Sequence, residues 1–144
     1  MHSVVLDTSV LIAGLRSATG ASFAVLEGVG SKFELNISVP LVLEYEAVTK
    51  RLARELGLTF EDIDDLLDYL CSVAHHRTIY YLWRPVLRDP NDDLVLELAV
   101  ESNADYLVTH NVRDFAGSER FGVRVVTPRE FLGILRSHTK EETR

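Results

Sequence analysis

Cysteine is nearly absent: Cys71 stands alone in 144 residues, which excludes an internal disulfide framework and a zinc site built on cysteine. It falls in the helix-like pattern LLDYLCSVA and reads as a small, buried, apolar side chain. No apolar run approaches the roughly 20 residues that a membrane-crossing helix needs, so no membrane association is expected. The opening MHSVVLDTSVLIAG has an acid inside its apolar stretch and no basic lead, unlike a signal peptide, and a cytoplasmic location is expected. Bases are outnumbered, 15 Lys and Arg against 22 Asp and Glu for a net charge of -7. That balance argues against holding nucleic acid by bulk electrostatics, although a local basic rim stays open. Repeats, linkers and low-complexity segments are also missing.

What is present is the composition of a folded globular chain, 47% hydrophobic and 26% charged. One domain is expected over residues 1–137, with a charged tail, 138–144, expected to be disordered. SVVLD reads as a short buried strand, with Thr8 or Ser9 able to cap the helix after it. SFAVLEGV reads as a helix closed by Gly30, and FELNIS as a second strand. Ser38 and Pro40 mark a helix start, and helical spacing then runs from Leu41 to Leu56 before Gly57 stops it. Thr59 and Asp62 form a capping box opening the next helix. RTIYYL (77–82) reads as the third strand, with Tyr80, Tyr81 and Trp83 packing it. DLVLELAVES follows as a helix and ADYLVTH as a fourth strand. NVRDFAGSERFG reads as a polar loop, VRVV as a fifth strand, and Thr127 to Glu130 as a capping box for FLGILRS. Strands alternating with helices, several strands being continuously apolar, indicate an α/β fold with a mainly parallel five-stranded sheet covered on both faces.

In such a sheet ligands bind at the edge where strands end and helices begin. Asp7 closes the first strand there, Glu44 lies about one turn into the helix after the second, and Asp93 opens the helix before the fourth. Asn111 and Asp114 follow the fourth strand. Taken singly, each reads as a cap or a solvated surface group. Brought together, carboxylates repel one another and raise each other's pKa unless a cation compensates. Hard oxygen ligands favour Mg²⁺ or Mn²⁺, which suits hydrolysis of a phosphodiester. Asp89 and Asp92, in RDPNDDLVLELA, read as structural, because Pro90 between them fixes a turn. His75 and His76 are adjacent and share no helix face, so a zinc site is not expected; His110 is close enough to contact a substrate.

The succession VVLDTSVLIAGL, GASFAVLEG, FELNISVPLVLEYEAV, RDPNDDLVLELAVESNADYLVTHNVRDF and VVTPREFL resembles the PIN-domain family, more closely its VapC-like toxin branch. The resemblance implies a Rossmann-like three-layer α/β/α sandwich and a Mg²⁺- or Mn²⁺-dependent endoribonuclease, the toxin of a toxin–antitoxin pair. It places the family's acids on Asp7, Glu44 and Asp93, with a fourth group at Asn111 or Asp114, and support from Thr8, Ser9 and Thr109. It implies RNA as substrate, a cognate antitoxin and a homodimer. Arg51, Arg54 and Arg113 are candidate RNA contacts, with Lys50, Arg16, Arg84 and Arg88 as further rim candidates. Two other readings compete: a PIN-like protein- or RNA-binding domain without turnover, and a phosphatase using Asp7 as nucleophile. The latter's usual second Asp, two residues on, is here Ser9.

Overall fold

In the computed structural model, which describes residues 1–80 and 87–142, five parallel strands run in the order β3-β2-β1-β4-β5. They are β1 (Ser3–Leu6), β2 (Glu34–Ile37), β3 (His75–His76), β4 (Tyr106–Val108) and β5 (Arg124–Val126). Val4, Val5, Leu6, Leu107 and Val108 are all buried. Strands covered on both faces have no solvent side, so their sequence shows an apolar run in place of alternation. The sheet is the expected one, and every pairing in it is parallel.

Seven helices cover it: α1 (Thr8–Arg16), α2 (Ala21–Glu27), α3 (Val39–Arg51), α4 (Ala53–Leu56), α5 (Phe60–Val73), α6 (Pro90–Glu101) and α7 (Pro128–Glu142). Right-handed crossovers put the helices between β1, β2 and β3 on one face, and α6, which returns across the sheet to β4, on the other. α6 accordingly rests on β1, β2 and β4, while α2 packs between α1 and α7. Gly14 permits the α1–α2 approach, since a Cβ there would collide with Leu26. Phe33 and Phe131 meet edge to face at 5.1 Å, closing the core beneath α7.

Three of the capping expectations hold at atomic detail, but the one for α1 does not: Asp7, not Thr8 or Ser9, is its N-cap, and the two hydroxyls donate to Glu44 and Asp7 instead. Ser38 Oγ accepts from the Leu41 amide with proline at the start of α3, and Thr59 exchanges bonds with Asp62. Thr127 does the same with Glu130. Other boundaries shift. α2 ends at Gly28, two residues before the expected Gly30. The helix expected to run unbroken to Leu56 divides at Leu52 into α3 and α4. Just upstream, Thr49 Oγ1 donates to the Tyr45 carbonyl at 2.6 Å, a back-bond of the kind that bends helices.

The third strand is also not where RTIYYL put it. It comprises only His75 and His76, paired with Asn36 and Ile37, and the Arg77 amide adds one last bond to the Ile37 carbonyl. Beyond that point β2 has no more backbone to offer, because Ser38 turns the chain into α3. Tyr80, expected to pack a strand, is exposed; Tyr81, Leu82, Trp83 and Arg84 lie outside the described residues. NVRDFAGSERFG contains two single-turn 3₁₀ segments, Val112–Phe115 and Ser118–Phe121. α7 continues through Glu142, into the tail expected to be disordered. Cys71 is half-buried, not fully buried, and unpaired.

Candidate active site

Asp7 follows β1 directly, at the switch point where the strand order reverses between β1 and β4. Its amide donates to the Val108 carbonyl at 2.9 Å. It occupies the N-cap position of α1, yet its side chain makes no capping bond. Instead the hydroxyls of Ser9 and Thr109 both donate to its Oδ2, each at 2.7 Å. A hydroxyl has one proton to give, and both are committed to this carboxylate. Their lone pairs in turn accept the amides of His110 and Asn111, so the chain after β4 is held by the same two residues that hold Asp7.

Glu44 reaches the same place from α3. Thr8 Oγ1 donates to its Oε2 at 2.6 Å, and the neighbouring Tyr45, fully buried, donates its hydroxyl to the Leu6 carbonyl at the end of β1. Burial and the charges of Asp7 and Glu44 push the Tyr45 phenol pKa well up, so it remains a donor at any ordinary pH.

The first turn of α6 brings the correction. Asp89 is its N-cap, accepting the Asn91 amide at 2.9 Å, as the structural reading required. Asp92, also read as structural, faces a cavity of about 560 Å³ together with Asp7, Glu44 and Asp89. Asp93, expected to be the third acid of the site, does not line that cavity. It is 1% exposed, its Oδ1 accepts the Leu87 amide at 2.9 Å, and its Oδ2 is buried without a hydrogen-bond partner among the described residues. One residue on a helix is a rotation of about 100°, enough to turn one acid to the cavity and its neighbour inward. The polar spacing of α6 runs through Asp93, Glu97 and Glu101, yet Asp93 and Glu97 are buried, so the stripe that the sequence shows points to the wrong acid.

The acids are electrostatically exposed to one another. Asp92 has its pKa pushed up to about 7, first by burial and then by the charges of Asp7, Asp89, Asp114 and Glu44. Glu44 is raised by burial and by Asp7 and Asp89, against the lowering effect of the Thr8 hydroxyl. Among the described residues no lysine, arginine or histidine pairs with Asp7, Glu44, Asp89 or Asp92. Nor do any three acidic, histidine or cysteine side chains there form a group that could enclose a metal ion by themselves. An all-oxygen donor set with uncompensated charge fits a hard cation that keeps several waters beside one or two carboxylates, as Mg²⁺ does.

Around this centre, Asn111 and His110 line the cavity, and His110 Nε2 is hydrogen-bonded to Ser22 Oγ of α2 at 2.6 Å. Asp114 is exposed in the first 3₁₀ segment and acts on Asp92 by its charge. Of the candidate RNA contacts, Arg51 lines the cavity; Arg54 and Arg113 are exposed and do not. Arg16 also lines it. Lys50 is held by Asp64 at 2.9 Å and Glu46 at 3.4 Å, and Arg88 is exposed. Asp89 and Asp92, which sequence reasoning set aside as structural, both line the cavity, and so does the rim candidate Arg16.

A sequence profile described as PIN domain matches residues 3–113. The chain belongs to the PIN domain family. This PIN domain is similar to solved structures over most of its length. VapBC2 from Rickettsia felis, bound to a DNA fragment from their promoter, is 17% identical with a TM-score of 0.59, over 87% of this chain and 98% of that one. VapBC-1 from nontypeable Haemophilus influenzae is 16% identical with a TM-score of 0.58, over 88% and 98%. FitAB bound to an IR36 DNA fragment is 17% identical with a TM-score of 0.61, over 87% and 94%. At these identities the likeness is one of fold. No curated protein matches by sequence. The expected family and the expected α/β architecture are thus both found.

Proposed function

We propose that this PIN domain is a Mg²⁺- or Mn²⁺-dependent endoribonuclease, acting as the toxin of a toxin–antitoxin pair. The observation that carries the reading is the convergence of Asp7, Glu44 and Asp92 on one cavity, with no base paired to any of them among the described residues. These three would hold the ion, partly through water, with Asn111 and Asp114 at the rim. When bound, the ion supplies an acidified water and neutralises charge on the oxygens of the scissile phosphodiester.

The chain's own groups set the stage for that chemistry. Ser9 and Thr109 fix the Asp7 carboxylate by two donated bonds to one oxygen, and Thr8 fixes Glu44 by one. Asp92 carries its proton for part of the time at neutral pH and releases it as positive charge arrives. By likeness to the VapBC and FitAB complexes, a cognate antitoxin is the proposed partner; a homodimer is proposed from the family resemblance alone. No single helix among the described residues is long and apolar enough to cross a membrane.

Incubation of the protein with RNA and Mn²⁺ tests the reading. Wild type is expected to cleave, with loss of cleavage in chelator and a fall of at least about a hundredfold in Asp7→Asn, the scale expected when a charge that stabilises the transition state is removed. RNA bound but left intact under every divalent metal tried would sink the nuclease and leave a binding domain.

A further inference from the structure

The cavity has a second half that the hydrolytic reading does not use. From the acids it continues along α1 and α3, past Ala13 and Val48, to Arg16 and Arg51. Arg51 is seven residues beyond Glu44 on α3, about 10 Å along the helix axis at 1.5 Å per residue. Arg16 ends α1, whose first residue follows Asp7 directly. Negative charge therefore sits at one end of this groove and positive charge at the other, with apolar side chains between.

The bases differ in availability. Lys50 is drawn off by Asp64 and Glu46 toward α5. Arg16 Nη2 is bound to Glu55 Oε1 of α4 at 2.9 Å, with both side chains half-exposed. Arg51 is exposed and has no acidic partner among the described residues. A guanidinium left unpaired in a cavity whose far end is acidic is suited to a phosphate that arrives with a strand.

Resting on the nuclease reading, we infer that Arg51 and Arg16 form a second phosphate subsite of this cavity. It binds the phosphate of a neighbouring nucleotide when the scissile one lies at the acids. Glu55 is its latch: it holds Arg16 in the free protein and releases it when a phosphate competes for the guanidinium. The substrate strand then runs along the α1–α3 groove, with one phosphate at the acids and a neighbouring one at the arginines.

The test measures binding apart from cleavage, using the full chain with Asp92→Asn as background and a labelled single-stranded oligoribonucleotide as probe, by fluorescence anisotropy over a range of salt. Adding Arg51→Ala is expected to weaken binding about tenfold and to reduce the slope of log K against log salt by about 0.7, the share of one phosphate contact on a single strand. Arg51→Lys, which keeps the charge, is expected to keep the slope. Glu55→Gln is expected to tighten binding several-fold, and that gain is expected to vanish when Arg16→Ala is added. An unchanged slope in Arg51→Ala, or a Glu55→Gln gain that survives Arg16→Ala, overturns the subsite or its latch respectively. Wild-type cleavage in Mn²⁺, measured alongside, separates the two ideas. Cleavage without an Arg51 effect removes the subsite alone, and an Arg51 effect without cleavage removes the nuclease alone.

Discussion

The two ends of the parallel strands treat carboxylates in opposite ways. At the starting end, Asp105 accepts the Ser3 amide at 2.8 Å and lies 3.9 Å from His2 Nδ1. His2 in turn packs against the rings of Tyr106 and His138. This acid is satisfied by the backbone it ties together, and it pins β1 to β4. At the finishing end, Asp7, Glu44, Asp89 and Asp92 crowd one cavity and raise the proton affinity of Glu44 and Asp92. One end spends its polar groups on holding the sheet. The other keeps charge that folding alone would not choose, which is the pattern of a site shaped for a ligand at some cost in stability.

Replacing one acid at each end should separate these roles by sign. In metal-free protein near pH 8, Asp92→Asn is expected to raise Tm by a few degrees while reducing Mn²⁺-supported cleavage by at least about a hundredfold. Asp105→Ala is expected to lower Tm by a few degrees, corresponding to about 1 kcal/mol for a lost hydrogen bond, and to leave cleavage near wild type. If both variants moved Tm in the same direction, the contrast between the ends would fail.

The pH dependence sharpens the contrast further. A carboxyl whose folded pKa is about 7, above the usual value near 4 in an unfolded chain, binds its proton more tightly when folded. Its contribution to stability is then full below about pH 4 and is lost as pH rises through about 7. Wild type minus Asp92→Asn, followed by thermal melting without metal, should therefore show a difference that grows between pH 4 and 8. Added Mn²⁺ is expected to shrink that difference. A change at neither end gives the reference: Thr59→Ala removes the cap of α5 and is expected to cost about 1 kcal/mol, as Asp105→Ala does, with cleavage unaltered.

Much of this architecture was legible because local chemistry and tertiary structure agree. Ser38 with Pro40, Thr59 with Asp62, and Thr127 with Glu130 announce helix starts that the fold keeps. Asp7 and Glu44 were legible for a related reason, since each sits at a fixed offset from a strand end. His75 and His76 were not, because a strand of two residues is defined by its partner's last two residues and carries no periodic pattern of its own. Asp92 escaped for a different reason: the polar spacing Asp93, Glu97 and Glu101 favours its neighbour, although Asp93 and Glu97 are buried in the fold.

The hydrogen bond from Tyr45 to the Leu6 carbonyl joins the residue after Glu44 to the residue before Asp7. Two acids that meet from opposite ends of a 37-residue excursion are thereby bolted to a common girder, one peptide unit away on either side. The spacing of the two backbones that carry them is inherited from the core. On the proposed reading, tuning this centre to a larger or smaller ion calls for changes deep in the interior, at positions that never touch the ion.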